Sequence, residues 1–309
     1  MALTTLRLIA FPGAPNLPIF AAIEQGDFER EGLTVELETT PSSKFQIESL
    51  VAGKFDIAAT AYDNVVAYCE GQGAVAFGVT PDLFVFMGAT RIELSLVASG
   101  ECATVAALSG RPLALDAVAT GFAFVLYDML EHAGCALTDC ELVAVGATPQ
   151  RWEALRSGQV AATLMIEPFT SIARAQGFAM LESSVERLPH YQGGIFASRR
   201  RWAAEHSGAV EGFIRAYRRG LDWVLATENR DAATRLLLAR MPAIQPPVAP
   251  AVINKLLDPA TGLTPGAAID PDGMHTVLAL RSRYARPQRT LDRIEPYVDL
   301  SFFERATAG

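Results

Sequence analysis

Five short segments carry most of the side chains able to hold a small molecule: 11–16, 41–45, 60–64, 116–122 and 167–169. Each follows a candidate strand. In open α/β sheets the loops beyond the carboxyl ends of strands face the ligand crevice. Ala119-Thr120-Gly121-Phe122 stands at a predicted helix start. Free backbone N–H groups and the helix dipole there favour an anion or a polar oxygen. Gly121 admits close approach and Thr120 adds a hydroxyl, although the same pattern also makes an ordinary helix cap. Asp116 closes the strand before this loop. Ser42 and Ser43 carry the same two readings ahead of a helix over 45–52.

The other segments offer different chemistry. Asn16 lies in the Pro-rich first loop. Asn64 suits the orientation of a ring nitrogen or carbonyl, whereas Asp63 suits a helix cap. Glu167 precedes Pro168 at a strand end. It suits a cationic group on a ligand, or remains a solvated acid. Phe11, Phe45, Tyr62, Phe122, Phe169 and Tyr191 fall on or beside these segments. One such ring alone suits a core, but the cluster suggests stacking surfaces for a planar ligand. Lys44 and Arg151 are the nearest cations, so a small bare anion is less attractive than a larger organic ligand.

The elements alternate along the chain. Strands are predicted over 6–11, 33–38, 55–59, 94–98, 111–116, 141–145, 160–166 and 177–181. Between them fall helices over 19–29, 45–52, from 63 onward, 121–134 and 149–157, with another after 167–169. That rhythm predicts an α/β fold with mainly parallel strands. Residues 49–59 echo residues 154–164: helix, glycine stop, strand. After Arg199 the chain turns helical over 202–225, 231–239 and 272–286, with prolines through 242–250.

Composition narrows the classes. Half of the 309 residues are hydrophobic and 19% are charged, which excludes a disordered chain. The net charge of −8 removes a global electrostatic case for nucleic acid. No run reaches the roughly 18 uncharged apolar residues that a membrane span needs. Residues 8–23 carry Pro12, Pro15 and Pro18 behind a single Arg7, so no signal peptide is read there. Cys69, Cys102, Cys135 and Cys140 form no CxxC pair and read as free thiols, although Cys135 and Cys140 lie close enough in sequence to pair. No P-loop, GxGxxG or GxSxG motif occurs. Neither a cofactor nor a metal is expected.

Together these pieces resemble a type II periplasmic substrate-binding protein of ABC transporters. The group is that of nitrate-, sulfonate- and taurine-binding proteins and thiamine-pyrimidine-precursor proteins. The carrying residues are Pro12 to Pro18, Gln25-Gly26-Asp27-Phe28, Glu31 to Glu36, Gln46 to Asp56, Asp63-Asn64, Leu108 to Asp116, Thr120-Gly121-Phe122, Arg151 to Leu155 with Gly158, Arg200 to Trp202 and Asn229-Arg230. The resemblance implies two lobes, 1–90 with a return over 192–309, and 91–191, around a ligand cleft. Tyr191 and Gln192 would then lie where the chain crosses back. Hinge closure on a small organic ligand, planar and aromatic or bearing a carboxylate or sulfonate, and delivery to an ABC permease are implied. Thr120 and Gly121 would bind from one lobe, and Asn16, Tyr62 and Asn64 from the other. The place of action would be periplasmic if a leader was removed, and cytoplasmic if the chain is complete as given. The alternative is a cytosolic enzyme on the same fold, acting on an aromatic or heteroaromatic carboxylic acid in the manner of a decarboxylase or lyase, or of a pyrimidine-forming enzyme. His190, Glu167 and Cys102 are its candidate acid–base groups.

Overall fold

The computed structural model describes residues 3–308. Ten strands form two five-stranded sheets. The first contains β1 (Thr4–Ala10), β2 (Leu33–Thr39), β3 (Ile57–Ala61), β4 (Leu83–Thr90) and, much later, β10 (Gly194–Arg199). The second contains β5 (Ser95–Ala98), β6 (Pro112–Leu115), β7 (Glu141–Ala144), β8 (Ala162–Met165) and β9 (Ala179–Ser183). Their spatial orders are β2-β1-β3-β10-β4 and β7-β6-β8-β5-β9.

The sheets are mixed, with one reversed strand in each. β10 runs antiparallel to β3 and β4, and β5 runs antiparallel to β8 and β9. The remaining neighbours pair in parallel. Both reversed strands directly follow a passage from one sheet to the other. A chain that passes over at the cleft enters the new sheet from its cleft end. Its first strand must therefore oppose the strands that finish there. The two passages lie side by side: Gly193 N–H donates to Arg91 O at 3.2 Å, and Gln192 Nε2 donates to Thr90 O at 3.2 Å.

Each sheet is buried on both faces. Along β1, Leu6 and Leu8 join one apolar cluster while Ile9 joins the other. Along β6, Ala114 takes the first side, and Leu113 and Leu115 the second. Double-sided burial demands the near-continuous apolar strands seen in the sequence. The echo between 49–59 and 154–164 falls on β3 and β8 with their preceding helices, Ser43–Val51 and Thr148–Arg156. These strands hold the same place in the two sheet orders.

Four features depart from the sequence reading. The helix expected over 19–29 is two helices, Leu17–Glu24 and Asp27–Arg30, because Gly26 adopts φ 70° between them. That over 202–225 likewise divides at His206 into Arg200–Glu205 and Ser207–Leu225. β4 and β10 had no sequence counterpart, although every residue of β4 is buried. Pro250 sits in the first turn of a helix Ala249–Leu256, where a missing N–H costs nothing. No helix among the described residues is long and apolar enough to cross a membrane, and the four cysteines are free.

Candidate functional site

A cavity lies between the sheets, lined from both. The β1 loop supplies Phe11, Pro15 and Asn16, and Ile19 follows from the next helix. The end of β3 supplies Thr60 and Asn64, and the passages supply Thr90, Ile92 and Gly193. From the second sheet come Asp116, Thr120, Gly121, Phe122, Thr148, Arg151 and Ile166. Phe196 of β10 and Tyr217 of the helix Ser207–Leu225 complete the wall. The two sheets meet across this space. Ser43 N–H donates to Asp116 Oδ2 at 3.0 Å, Ala147 N–H to Pro41 O at 2.9 Å, and Ala14 N–H to Glu167 O at 3.1 Å.

The sequence candidates divide into two groups. Phe11, Asn16, Asn64, Asp116, Thr120, Gly121 and Phe122 line the cavity. The others lie elsewhere. Ser42 caps its helix by accepting the Phe45 N–H at 3.2 Å, and its neighbour Ser43 lines the cavity instead. Phe45 is 41% exposed at the surface. Tyr62 is fully buried and meets Tyr297 edge-on at 6.3 Å. Tyr191 is buried too, and its hydroxyl has no partner.

The acid–base candidates do not converge. Glu167 lines a smaller neighbouring pocket with Lys255 and accepts from Ser171 Oγ at 2.9 Å. Burial pushes its carboxyl above the usual carboxylate range. Cys102 is buried with its Sγ near Ala107 O. His190 is exposed outside the cavity, its Nδ1 3.4 Å from Asp270 Oδ2. Asp272 joins these two in a cluster of potential metal-binding groups. Arg91 Nε approaches the same Asp270 oxygen at 3.7 Å, and Asp270 caps the start of the helix Pro271–Tyr284. Both positive influences disfavour a cation there.

Two positive features of the cavity wall are already occupied by the protein. Thr120 caps the helix Gly121–His132 by accepting from Ala123 N–H at 3.4 Å. The free Gly121 N–H expected from the sequence is taken: it donates to Asp63 Oδ2 at 2.6 Å. Arg151 is 2% exposed, and burial pushes its guanidinium down to about 10. Its donors go to Gly146 O at 3.1 Å, Thr148 Oγ1 at 2.9 Å, Thr163 Oγ1 at 3.2 Å and Leu164 O. Asp116 supplies nearby opposite charge. Among the lining residues, Ser43 Oγ, Thr90 Oγ1 and the Tyr217 hydroxyl are buried without a partner. Sequence reasoning missed Thr90 and Tyr217. The first closes an unrecognised strand, and the second is one aromatic in a long apolar helix stripe.

Paired mixed sheets closing on one interlobe cavity are the two-lobed α/β fold of periplasmic binding proteins. The chain belongs to the NMT1/THI5-like family, whose model matches residues 15–230. It is similar to the solved structure of a Bordetella bronchiseptica RB50 protein, with TM-score 0.82 and 19% identity over 99% of this chain and 97% of that one. The periplasmic nitrate-binding protein NrtA from Synechocystis PCC 6803 aligns with TM-score 0.80 and 13% identity, over 99% of this chain and 89% of that one. The alkanesulfonate-binding protein SsuA from Xanthomonas axonopodis pv. citri, bound to MOPS, aligns with TM-score 0.73 and 19% identity, over 97% and 99%. No curated protein sequence matches the chain significantly.

Proposed function

We propose that this chain is the solute-binding protein of an ABC-type importer. It captures a small planar organic molecule by hinge closure and presents it to a membrane permease at the cell envelope. The working lobes are 1–90 with 192–309, and 91–191. Sheet membership supports that division, since β10 alone returns to the first sheet after Gln192. The importer role is supported by family membership and by the NrtA and SsuA neighbours.

The observation that carries the ligand class is the make-up of the wall, which sets aromatic rings beside neutral amide and hydroxyl side chains such as Asn16, Thr60, Asn64 and Thr120. A ligand with a polar edge finds partners among these groups, and Phe11, Phe122, Phe196 and Tyr217 supply faces for a ring. Asn64 donates to Thr60 Oγ1 at 2.9 Å, which leaves its side-chain carbonyl to accept a ligand N–H. The charged lining groups are Arg151 and Asp116, one of each sign, and the donors of Arg151 are spent on the protein. A ligand neutral overall suits this wall better than a bare inorganic anion.

Ligand and lobes then share one equilibrium. A molecule touching Phe11 and Asn16 on one side and Thr120 and Phe122 on the other favours the closed state over the open one. A thermal-shift series tests this reading. Neutral heteroaromatic compounds are expected to raise the melting temperature, while nitrate and sulfate leave it unchanged. Stabilisation by the inorganic anions alone would overturn it.

A further inference from the structure

A second, smaller pocket adjoins the cavity along Pro15, Thr90 and Ile92, which line both. Its charged members come from three parts of the chain. Glu167 follows β8, Glu93 lies on the first passage between the sheets, and Lys255 belongs to the helix Ala249–Leu256. Lys255 Nζ is spent on Glu93 Oε2 at 2.5 Å, and Glu93 Oε1 accepts the Ser183 hydroxyl at 2.7 Å. Glu167 Oε1 accepts from Ser171 Oγ at 2.9 Å, whereas its Oε2 is buried with no partner. Among the described residues no cation pairs with Glu167, because the lysine beside it is engaged by Glu93. The pocket is left with one uncompensated carboxylate.

We infer that this pocket is a second compartment of the ligand site, and that it takes a protonated amine carried on a short arm of the molecule in the cavity. The inference rests on the planar-ligand reading and adds the other end of the molecule. An ammonium group brings N–H donors to Glu167 Oε2 and to Thr90 Oγ1, which is 2% exposed and also without a partner. Charge-assisted hydrogen bonds of this kind are the strong ones. The charges then balance: Arg151 offsets Asp116 in the cavity, Lys255 offsets Glu93 in the pocket, and the amine offsets Glu167. The ring against the main wall stays neutral, and only the arm is charged. A carboxylate arm would meet Glu167 as a like charge.

Two further observations support the compartment. First, it is walled by both lobes, with Pro15 from the first and Glu167 from the second, and Ala14 N–H donates to Glu167 O at 3.1 Å beside it. An arm in the pocket therefore touches both lobes, as the ring does in the cavity. Second, Ile92 holds φ 64° where the two spaces adjoin. A β-branched residue rarely adopts that left-handed region, and strain of this kind clusters at ligand clamps and switch regions. Ile92 packs on Gly193, where a Cβ would fall 1.9 Å from Ile92 Cγ2. The junction is built around a strained side chain, and only a glycine at 193 leaves it room.

Calorimetric titration with benzylamine and phenethylamine, each against the matched alcohol, tests the compartment. Wild type is expected to bind the amines about tenfold more tightly than the alcohols, as a hydrogen bond to a charged group provides. Glu167→Gln keeps an oxygen for Ser171 and removes the charge. It is expected to lose the preference for amines while binding the alcohols as wild type does, which a merely structural role for Glu167 would not produce. Equal binding of amines and alcohols by wild type overturns the inference and leaves the planar-ligand reading standing. So does a preference that survives in Glu167→Gln, or a variant that weakens amines and alcohols alike. Binding of neither series overturns both.

Discussion

The Ser43 N–H reaches across the cleft to the Asp116 carboxylate, 3.0 Å from Oδ2 and 3.3 Å from Oδ1. It joins the start of the first lobe's helix Ser43–Val51 to the loop after β6 in the second lobe. Helix dipole and hydrogen bond act together there. A hydrogen bond to a charged group contributes about 1.5 kcal/mol or more. Asp116→Ala is therefore expected to weaken ligand binding about tenfold, read by calorimetric titration. Unchanged affinity would mean that this contact takes no part in closure.

Tyr217→Phe separates binding from stability. Its hydroxyl is buried without a partner, so removing it should leave the melting temperature unchanged or slightly higher. Ligand affinity should stay within about twofold of wild type, because the ring that lines the cavity is kept. Calorimetry with a thermal melt reads both quantities.

Glu167→Gln tests a buried acid outside the main cavity. Burial raises the Glu167 carboxyl in the folded state. The folded protein therefore holds this proton more tightly than the unfolded chain does. Its stabilising contribution is complete below the unfolded value and is lost as pH rises through the folded one. Glutamine keeps an oxygen for Ser171 and carries no charge. The variant is expected to melt higher than wild type at pH 8, with the difference closing at pH 4. A constant difference across that range would contradict the assignment.

Gly220→Val tests the packing behind the cavity. Gly220 lies in the helix Ser207–Leu225, where a Cβ would fall 2.4 Å from Pro18 O and 2.8 Å from Ala22 N. The same helix presents Tyr217 to the cavity. Overpacking costs about 1–3 kcal/mol, so the melting temperature is expected to drop by several degrees. Ligand affinity should fall with it as Tyr217 shifts.

Local chemistry was legible in the sequence and long-range pairing was not. The helix Gly121–His132 announced itself through Thr120 before it and Gly134 after it, which takes φ 78°. The cavity positions of Phe11, Asn64 and Phe122 followed from strand ends. β4 was missed because a short apolar run without period fits helix or strand equally. The contacts of Asp63 with Gly121 and Arg281 join positions 58 and 218 residues apart. No local pattern encodes them. For that reason the helix start read as an open anion site when it is occupied. Tyr62 and Tyr191 failed as cavity residues on the same ground, because residues beside a strand end divide between cleft and core according to packing that only the fold supplies.

The central claim is that the cleft takes up an intact, planar organic molecule. Its most direct test is mass analysis of what the protein carries. Wild type and Thr120→Trp, whose side chain fills the cavity, are incubated with a metabolite extract, washed and denatured. An unchanged ring-bearing molecule is expected to be released from wild type and to be absent from Thr120→Trp. Release of a converted product, of an inorganic anion only, or of the same molecule from both proteins would contradict it.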